Sequence, residues 1–310
     1  TARSDRAGPP QMSERKSVEA GVVYAAGAYI IWGVVPVFWK YLDHVGAVEI
    51  VAHRIVWTLI FALAALGAWE RLPKLVSALT NRKAMLALAA SSVLIAVNWG
   101  VFIWAVTADR IIETSLGYYI TPLVSFVLGV AFLGERLSRL QMIAVALACL
   151  GVLNQTLSLG YLPWVSLVLA VSFGVYGLIR KQVDVESLEG LTVEAIILAP
   201  LSLGYIVYLV SSGQGAFFHV GVATDFLLIL AGPLTAIPLL MFSAGVRLIR
   251  LSTIGFLQYL APSISLMIAV FYYDEPFTHA HAITFALIWS ALALVSWEAF
   301  RREAYSAASR

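Results

Sequence analysis

Charge is scarce in this chain. Asp, Glu, Lys and Arg make up 12% of its 310 residues, roughly half the share carried by an ordinary soluble domain. So few charged side chains cannot coat a compact body in water, which excludes a typical soluble domain. The charges nearly cancel, leaving a net +2, and no basic run or basic–aromatic pattern occurs, which excludes nucleic acid as a partner. Cysteine is almost absent. Cys149 is the only one, so neither an internal disulfide nor a cysteine metal cluster can form, and its apolar surroundings predict a buried, inert thiol. The chain also lacks a phosphate-binding glycine loop, an HExxH helix, a nucleophile elbow and paired-cysteine spacing. These absences count against an ATP-driven pump or a hydrolase, and no cofactor or metal is expected.

Apolar sequence fills the space instead. Hydrophobic residues reach 61% and gather into runs that match the roughly 20 residues needed to cross a bilayer core about 30 Å thick. Ten spans are predicted, over 18–39, 50–69, 84–106, 111–133, 141–157, 161–179, 191–210, 226–246, 251–273 and 280–300. Helices are expected throughout, because lone strands would leave backbone groups unpaired in lipid. The fold class is therefore all-α and polytopic. The polar tail over 1–17 lacks an initiator Met, which suggests a processed or trimmed start. The apolar stretch after it is too long for a secretory signal and has no small-residue cleavage site, so it reads as the first span.

The chain resembles itself at an offset of about 140 residues. Phe102, Arg110, Tyr119, Pro122, Ser125, Val130 and Glu135 recur as Phe242, Arg250, Tyr259, Pro262, Ser265, Val270 and Glu275. At an offset one larger, Gly33, Val34 and Lys40 recur as Gly174, Val175 and Lys181. The chain thus divides into a tail (1–17), a first repeat (18–157), a second repeat (158–300) and a closing tail (301–310). Five spans per repeat is an odd number, so the second repeat must enter the membrane with the opposite sense. Basic residues support this. With the N-terminus in the cytoplasm, that side collects Arg3, Arg6, Arg15, Lys16, Arg71, Lys74, Arg82, Lys83, Arg136, Arg139, Arg180, Lys181, Arg247, Arg250, Arg301, Arg302 and Arg310. Lys40 and Arg110 fall outside and Arg54 lies within a span, so both termini are expected in the cytoplasm.

Pro122 and Pro262 occupy matched mid-span positions, where proline removes a backbone hydrogen bond. Each follows an aromatic–polar cluster: Tyr118, Tyr119 and Thr121 in one repeat, Gln258 and Tyr259 in the other. One reading is a pair of bent helices lining a binding cavity walled by tyrosines; the other is two kinks that serve packing. The small residues Ser125/Gly129 and Ser265/Ala269 read as helix contacts between the halves. In the second span, Glu49 and His53 stand four apart on one helical face, with Arg54 turned about 100° further. A Glu–His pair there could exchange a proton and couple transport to a gradient, or simply occupy the outer interface. Glu194 falls opposite His53 or Arg54 in the repeat and is either a cytoplasm-proximal polar group or part of a first helical turn. Asn98, beside Trp99 in mid-span, must hydrogen-bond another helix or a ligand. The pairs Glu135–Arg136 and Asp274–Glu275 read as helix ends. Trp32, Trp39, Trp69 and Trp104 read as an interfacial belt, and His44, His219, His279 and His281 as scattered loop histidines.

The runs GVVYAAGAYIIWGVVPVFWK, VEIVAHRIVW, NWGVFIWAV, ETSLGYYITPLVSFVLGVAFLGERL, SFGVYGLIRK and LSTIGFLQYLAPS resemble the EamA branch of the drug/metabolite transporter superfamily, over roughly residues 18–298. The motif matches at Glu49, His53, Arg54, Asn98, Trp99, Tyr118, Pro122, Glu135, Glu194, Gln258, Tyr259 and Pro262. The resemblance implies ten helices in two inverted five-helix repeats, a central cavity and alternating access in the bacterial inner membrane. It also implies drug export, although the superfamily moves amino acids, sugars and other metabolites too. The expected activity is secondary transport, in the efflux direction, of a small amphipathic solute held by Asn98, Trp99, Tyr118, Tyr119, Gln258 and Tyr259. Proton coupling through Glu49, His53 or Glu194 is a further expectation. The expected partners are that solute and membrane lipid, with the chain a monomer or homodimer. A passive channel or lipid scramblase is the alternative, followed by an enzyme acting on lipid-linked substrates.

Overall fold

The computed structural model describes residues 10–107, 111–159, 164–272 and 278–308. Arg3, Arg6, Arg110, Asp274, Glu275 and Arg310 lie outside these residues, as do the side chains of Arg15, Ala269, Arg301 and Arg302. The regular structure is entirely helical: α1 (Pro10–Lys40), α2 (Ala47–Ala68), α3 (Leu72–Thr80), α4 (Arg82–Thr107), α5 (Ile111–Leu133), α6 (Arg139–Leu159), α7 (Trp164–Gln182), α8 (Ser187–Ser212), α9 (Val222–Leu248), α10 (Leu251–Leu257), α11 (Leu260–Tyr272) and α12 (His279–Ala308). Among the described residues, eight segments are long and apolar enough to cross a membrane: α1, α2, α4, α6, α7, α8, α9 and the α10–α11 stretch. Within α5, Gly117–Leu133 forms a shorter apolar helix. Large apolar side chains such as Leu201, Val127 and Phe271 point outward, exposed; lipid accepts such a surface and water does not. The chain is a multi-pass membrane protein.

Two local features depart from the simplest reading. A short helix, α3, fills the 69–82 connection, and Asn81 starts the next helix by accepting the backbone N–H groups of Lys83 and Ala84 at 3.1 and 3.2 Å. Its side-chain oxygen satisfies donors that the first turn of α4 would leave unpaired. The ninth predicted span is broken into α10 and α11 at Gln258–Tyr259. Pro262 has no N–H to give the carbonyl four residues back, that of Gln258, so the helix lapses there. Its counterpart Pro122 sits inside an unbroken α5. There the Thr121 hydroxyl donates to the Gly117 carbonyl at 2.8 Å and the Ser125 hydroxyl to the Thr121 carbonyl at 3.1 Å.

The helices pair as follows: α1 with α9 and α11, α2 with α8 and α9, α4 with α7 and α8, α5 with α7 and α10, and α6 with α12. Glycine permits two of these contacts. A Cβ on Gly33 would lie 2.7 Å from Ile264 Cβ, and one on Gly174 would lie 2.7 Å from Val124 Cγ1. At the centre, Tyr29, Trp32, Phe173, Tyr176 and Phe242 meet ring to ring across α1, α7 and α9. Trp32 therefore belongs to the core and not to an interfacial belt, because ring burial in a packed aromatic cluster outweighs its one polar N–H. Cys149 also differs from expectation: it is exposed. Helix α6 turns its small residues Ala144, Ala148 and Gly151 inward, leaving the thiol on the lipid-facing side.

Candidate binding site

Helix α2 carries an acidic, an imidazole and a guanidinium group within two turns, and the structure sends them in different directions. Glu49 is buried, and its Oε1 accepts the backbone N–H of Ala216 at 2.7 Å and of Phe217 at 3.2 Å. It thereby pins the α8–α9 connection. His53 is also buried; its ring sits 4.6 Å from Phe217, and its Nδ1 accepts the Trp57 indole N–H at 3.2 Å. That bond leaves the proton on Nε2, which has no partner among the described residues.

Arg54 faces the bundle. Its guanidinium lies 5.0 Å from the centre of the Trp39 ring and 4.7 Å from that of Trp99, a cation–π arrangement with two walls. Its Nε donates to the Thr235 hydroxyl of α9 at 2.9 Å. Tyr118, on α5, is within electrostatic reach of the same guanidinium and stands 6.2 Å from Phe102, ring to ring. About half of Tyr118 is exposed, at 49%. Trp99 also lines a small cavity bounded by Ile55, Thr58, Tyr176, Glu194 and Leu239. Its walls combine apolar side chains with the polar groups of Thr58, Tyr176 and Glu194.

Glu194 closes the far side of that cavity. Its carboxylate accepts the Ser91 hydroxyl at 2.5 Å and the Tyr176 hydroxyl at 3.4 Å, and it stands 3.6 Å from Arg180 Nη1. Arg180 is 1% exposed and also donates to the Ser187 carbonyl at 3.0 Å and the Ser243 hydroxyl at 3.3 Å. Only glycine fits beside it, since a Cβ on Gly190 would lie 1.9 Å from Arg180 Nη1. A buried ion pair tolerates desolvation only when further hydrogen bonds satisfy its remaining groups; Ser91, Tyr176, Ser187 and Ser243 supply most of them, while Arg180 Nη1, 3.6 Å from the carboxylate, has no hydrogen-bond partner among the described residues.

The other expected site residues lie in helix contacts. Asn98 Nδ2 donates to the Leu169 carbonyl and the Ser172 hydroxyl of α7, both at 2.9 Å. Gln258 accepts the Ser125 hydroxyl at 3.2 Å. Tyr259 is fully buried and donates to the Tyr119 carbonyl at 3.4 Å. Tyr119 packs edge-on against Phe285 of α12, in a cluster with Ala148 and Ile288. Thus Trp99 and Tyr118 meet Arg54, Glu194 borders the cavity beyond, and Asn98, Tyr119, Gln258 and Tyr259 join neighbouring helices. Sequence reasoning did not name Arg54, Trp39, Arg180, Tyr176 or Ser91 as site residues. Arg54 had a signal, being the one basic residue inside a predicted span. Arg180 had none, because its position matched a loop charge.

One end of the bundle is tied by charge. Arg71 pairs with Glu186 and, at 2.8 Å, with Glu189; Lys74 reaches Glu186 at 2.6 Å. Arg247 donates to the Val185 carbonyl. Lys181 donates to the Val246 and Ile249 carbonyls at 2.8 and 2.5 Å. Glu135 accepts the Leu251 N–H at 2.6 Å. These contacts join the start of α3 to that of α8, the end of α9 to the α7–α8 turn and to the end of α7, and the end of α5 to the start of α10.

Comparison with known proteins places these residues in context. The sequence model of the EamA-like transporter family matches residues 19–154. The chain is 43% identical over 289 residues to the uncharacterized transporter YojE of Bacillus subtilis (strain 168), covering 92% of this chain and 96% of that protein. It is likewise 43% identical to Protein RarD of Streptomyces exfoliatus, covering 94% of this chain and 92% of that protein. A solved crystal structure aligns with a TM-score of 0.70 at 19% identity, covering 88% of this chain and 96% of the other. That last likeness concerns the fold alone.

Proposed function

Because this chain belongs to the EamA-like transporter family, we propose that it is a secondary transporter that exports a small organic metabolite or drug by alternating access between two inverted five-helix halves. The observation that carries the reading is the site around Arg54: a half-buried cation between two tryptophan rings, bonded to a hydroxyl of α9 and so set between helices of both halves. The first half would comprise α1, α2, α4, α5 and α6, and the second α7, α8, α9, α10–α11 and α12. Exchanging the halves turns each heterologous helix pairing into another that is present: α1·α9 into α4·α7, α1·α11 into α5·α7, and α2·α9 into α4·α8. The Gly33–Ile264 contact exchanges with Gly174–Val124. Glu49, which clamps the α8–α9 connection, exchanges with Glu189, which binds Arg71 of the α2–α3 connection. These correspondences support an inverted repeat, in which the same packing is built twice.

The distribution of Lys and Arg supports cytoplasmic termini, and with that orientation the ionic belt of Arg71, Lys74, Glu186 and Arg247 would lie on the cytoplasmic side. In this reading, a conformation with that belt formed would be the outward-facing state. Opening the belt while the outer helices close on Arg54 would complete the cycle. Among the groups considered for proton coupling, Glu194 of α8 borders the cavity and contacts both α4 and α7, so its protonation would bear on the buried ion pair that joins α8 to α7.

The test is flux in sealed proteoliposomes. Saturable uptake with counterflow supports alternating access. Flux that rises without limit favours a channel or scramblase. An imposed pH gradient should drive transport in the wild type and not in Glu194→Gln. Labelling that puts the two termini on opposite membrane faces would overturn the inverted topology.

A further inference from the structure

We propose that Arg54 is the receptor for a carboxylate, so that the transported solute is an organic acid with a flat apolar body. The inference rests on the transporter reading for its biological sense, but the binding chemistry can be measured without it. A guanidinium offers five N–H donors in a planar fork. Here Nε is committed to Thr235, and Trp39 and Trp99 cover the guanidinium at 5.0 and 4.7 Å. The terminal nitrogens bond to no described residue, and the side chain is half-buried. Those nitrogens are the donors left to take two oxygens side by side in the plane of the fork.

Charge bookkeeping points the same way. Among the described residues no carboxylate pairs with Arg54. Glu49, on the same helix, is spent on the Ala216 and Phe217 amides, and Glu194 is joined to Arg180. A cation within a membrane is costly unless paired, and the aromatic rings compensate it only in part. An arriving anion would complete the neutralisation that the described residues leave undone. Next to the fork, Trp99, Tyr118 and Phe102 offer ring surface to the rest of the solute.

The experiment is titration calorimetry on the purified full chain in detergent. The probes are benzoate, 3-phenylpropanoate and indole-3-acetate, each against its own amide, which keeps the shape and removes the charge. At least one acid should bind roughly 10–100-fold more tightly than its amide, the range expected for a charge-assisted bond. Arg54→Gln should erase that preference, and Arg54→Lys should keep part of it, since a point charge replaces the fork. Amides binding as well as acids, no acid preferred over its amide, or an unchanged preference in a folded Arg54→Gln would each overturn the proposal. The acid–amide comparison uses the wild type, so a misfolded variant does not blunt it. A phosphonate or sulfonate outcompeting every carboxylate would also overturn the assignment to carboxylates. Acid binding without flux in sealed vesicles would sink the transporter reading and leave this one standing; saturable flux of amides but not acids would do the reverse.

Discussion

Glu49 Oε1 accepts the Ala216 backbone N–H at 2.7 Å across 167 residues of sequence. The carboxylate also takes the Phe217 N–H, so it acts as a cap for a connection with little other regular structure. Glu49→Ala should leave two buried donors unpaired and cost about 2–3 kcal/mol. Hydrogen exchange should accelerate selectively over 214–220. Uniform acceleration across α2, with no change in that loop, would count against a capping role.

Asn98 links α4 to α7 through two hydrogen bonds. Interhelical bonds of this kind in membranes are worth roughly 0.6–2 kcal/mol. Asn98→Ala should therefore lower the melting temperature in detergent while the KM for transport stays the same. A raised KM with unchanged melting would return Asn98 to the solute-binding group.

The two glycine contacts should respond unequally. Gly174→Ala meets the Val124 side chain at 2.7 Å, whereas Gly33→Ala meets Ile264 Cβ at 2.7 Å and the Ala261 carbonyl oxygen at 3.0 Å. A side-chain methyl can rotate aside; a Cβ and a backbone oxygen cannot. Both should fall within or above the 1–3 kcal/mol that is roughly usual for overpacking, with Gly33→Ala the worse. Adding Val124→Ala to Gly174→Ala should recover much of the loss in a double-mutant cycle. Additive losses would place the strain elsewhere.

Glu186 gives the ionic belt a pH dependence. The hydrogen bond from Lys74 holds its carboxyl below the ordinary value of about 4.5, partial burial opposes this, and the nearby Arg71 adds to the depression. A carboxyl lowered on folding binds fewer protons folded than unfolded. Its contribution is therefore complete above about 4.5 and fades as pH falls through the lower folded value. The side chain is 52% exposed, so solvent screens the effect and it should be small. Protease access at the α7–α8 turn should rise in mild acid for the wild type and change less for Glu186→Gln. Identical profiles would refute the assignment.

The membrane-embedded, all-helical character of the chain was decided by its sequence alone. Runs of apolar residues with almost no charge can satisfy their backbone in lipid only as helices, and that requirement does not depend on which helix meets which. The glycines at 33 and 174 and the paired prolines were legible for the same reason: they act on their own backbone. Partnership was not. Arg180 looked like a loop charge until α8 and α9 closed over it with Glu194 and Ser243; Asn98 could have faced a solute until α7 offered a carbonyl and a hydroxyl; and Arg54 gained its ring walls and its hydroxyl partner only when Trp39, Trp99 and Thr235 arrived from three other helices. A side chain's role in a bundle depends on groups far away in sequence, and only the packing of the helices brings those groups within reach.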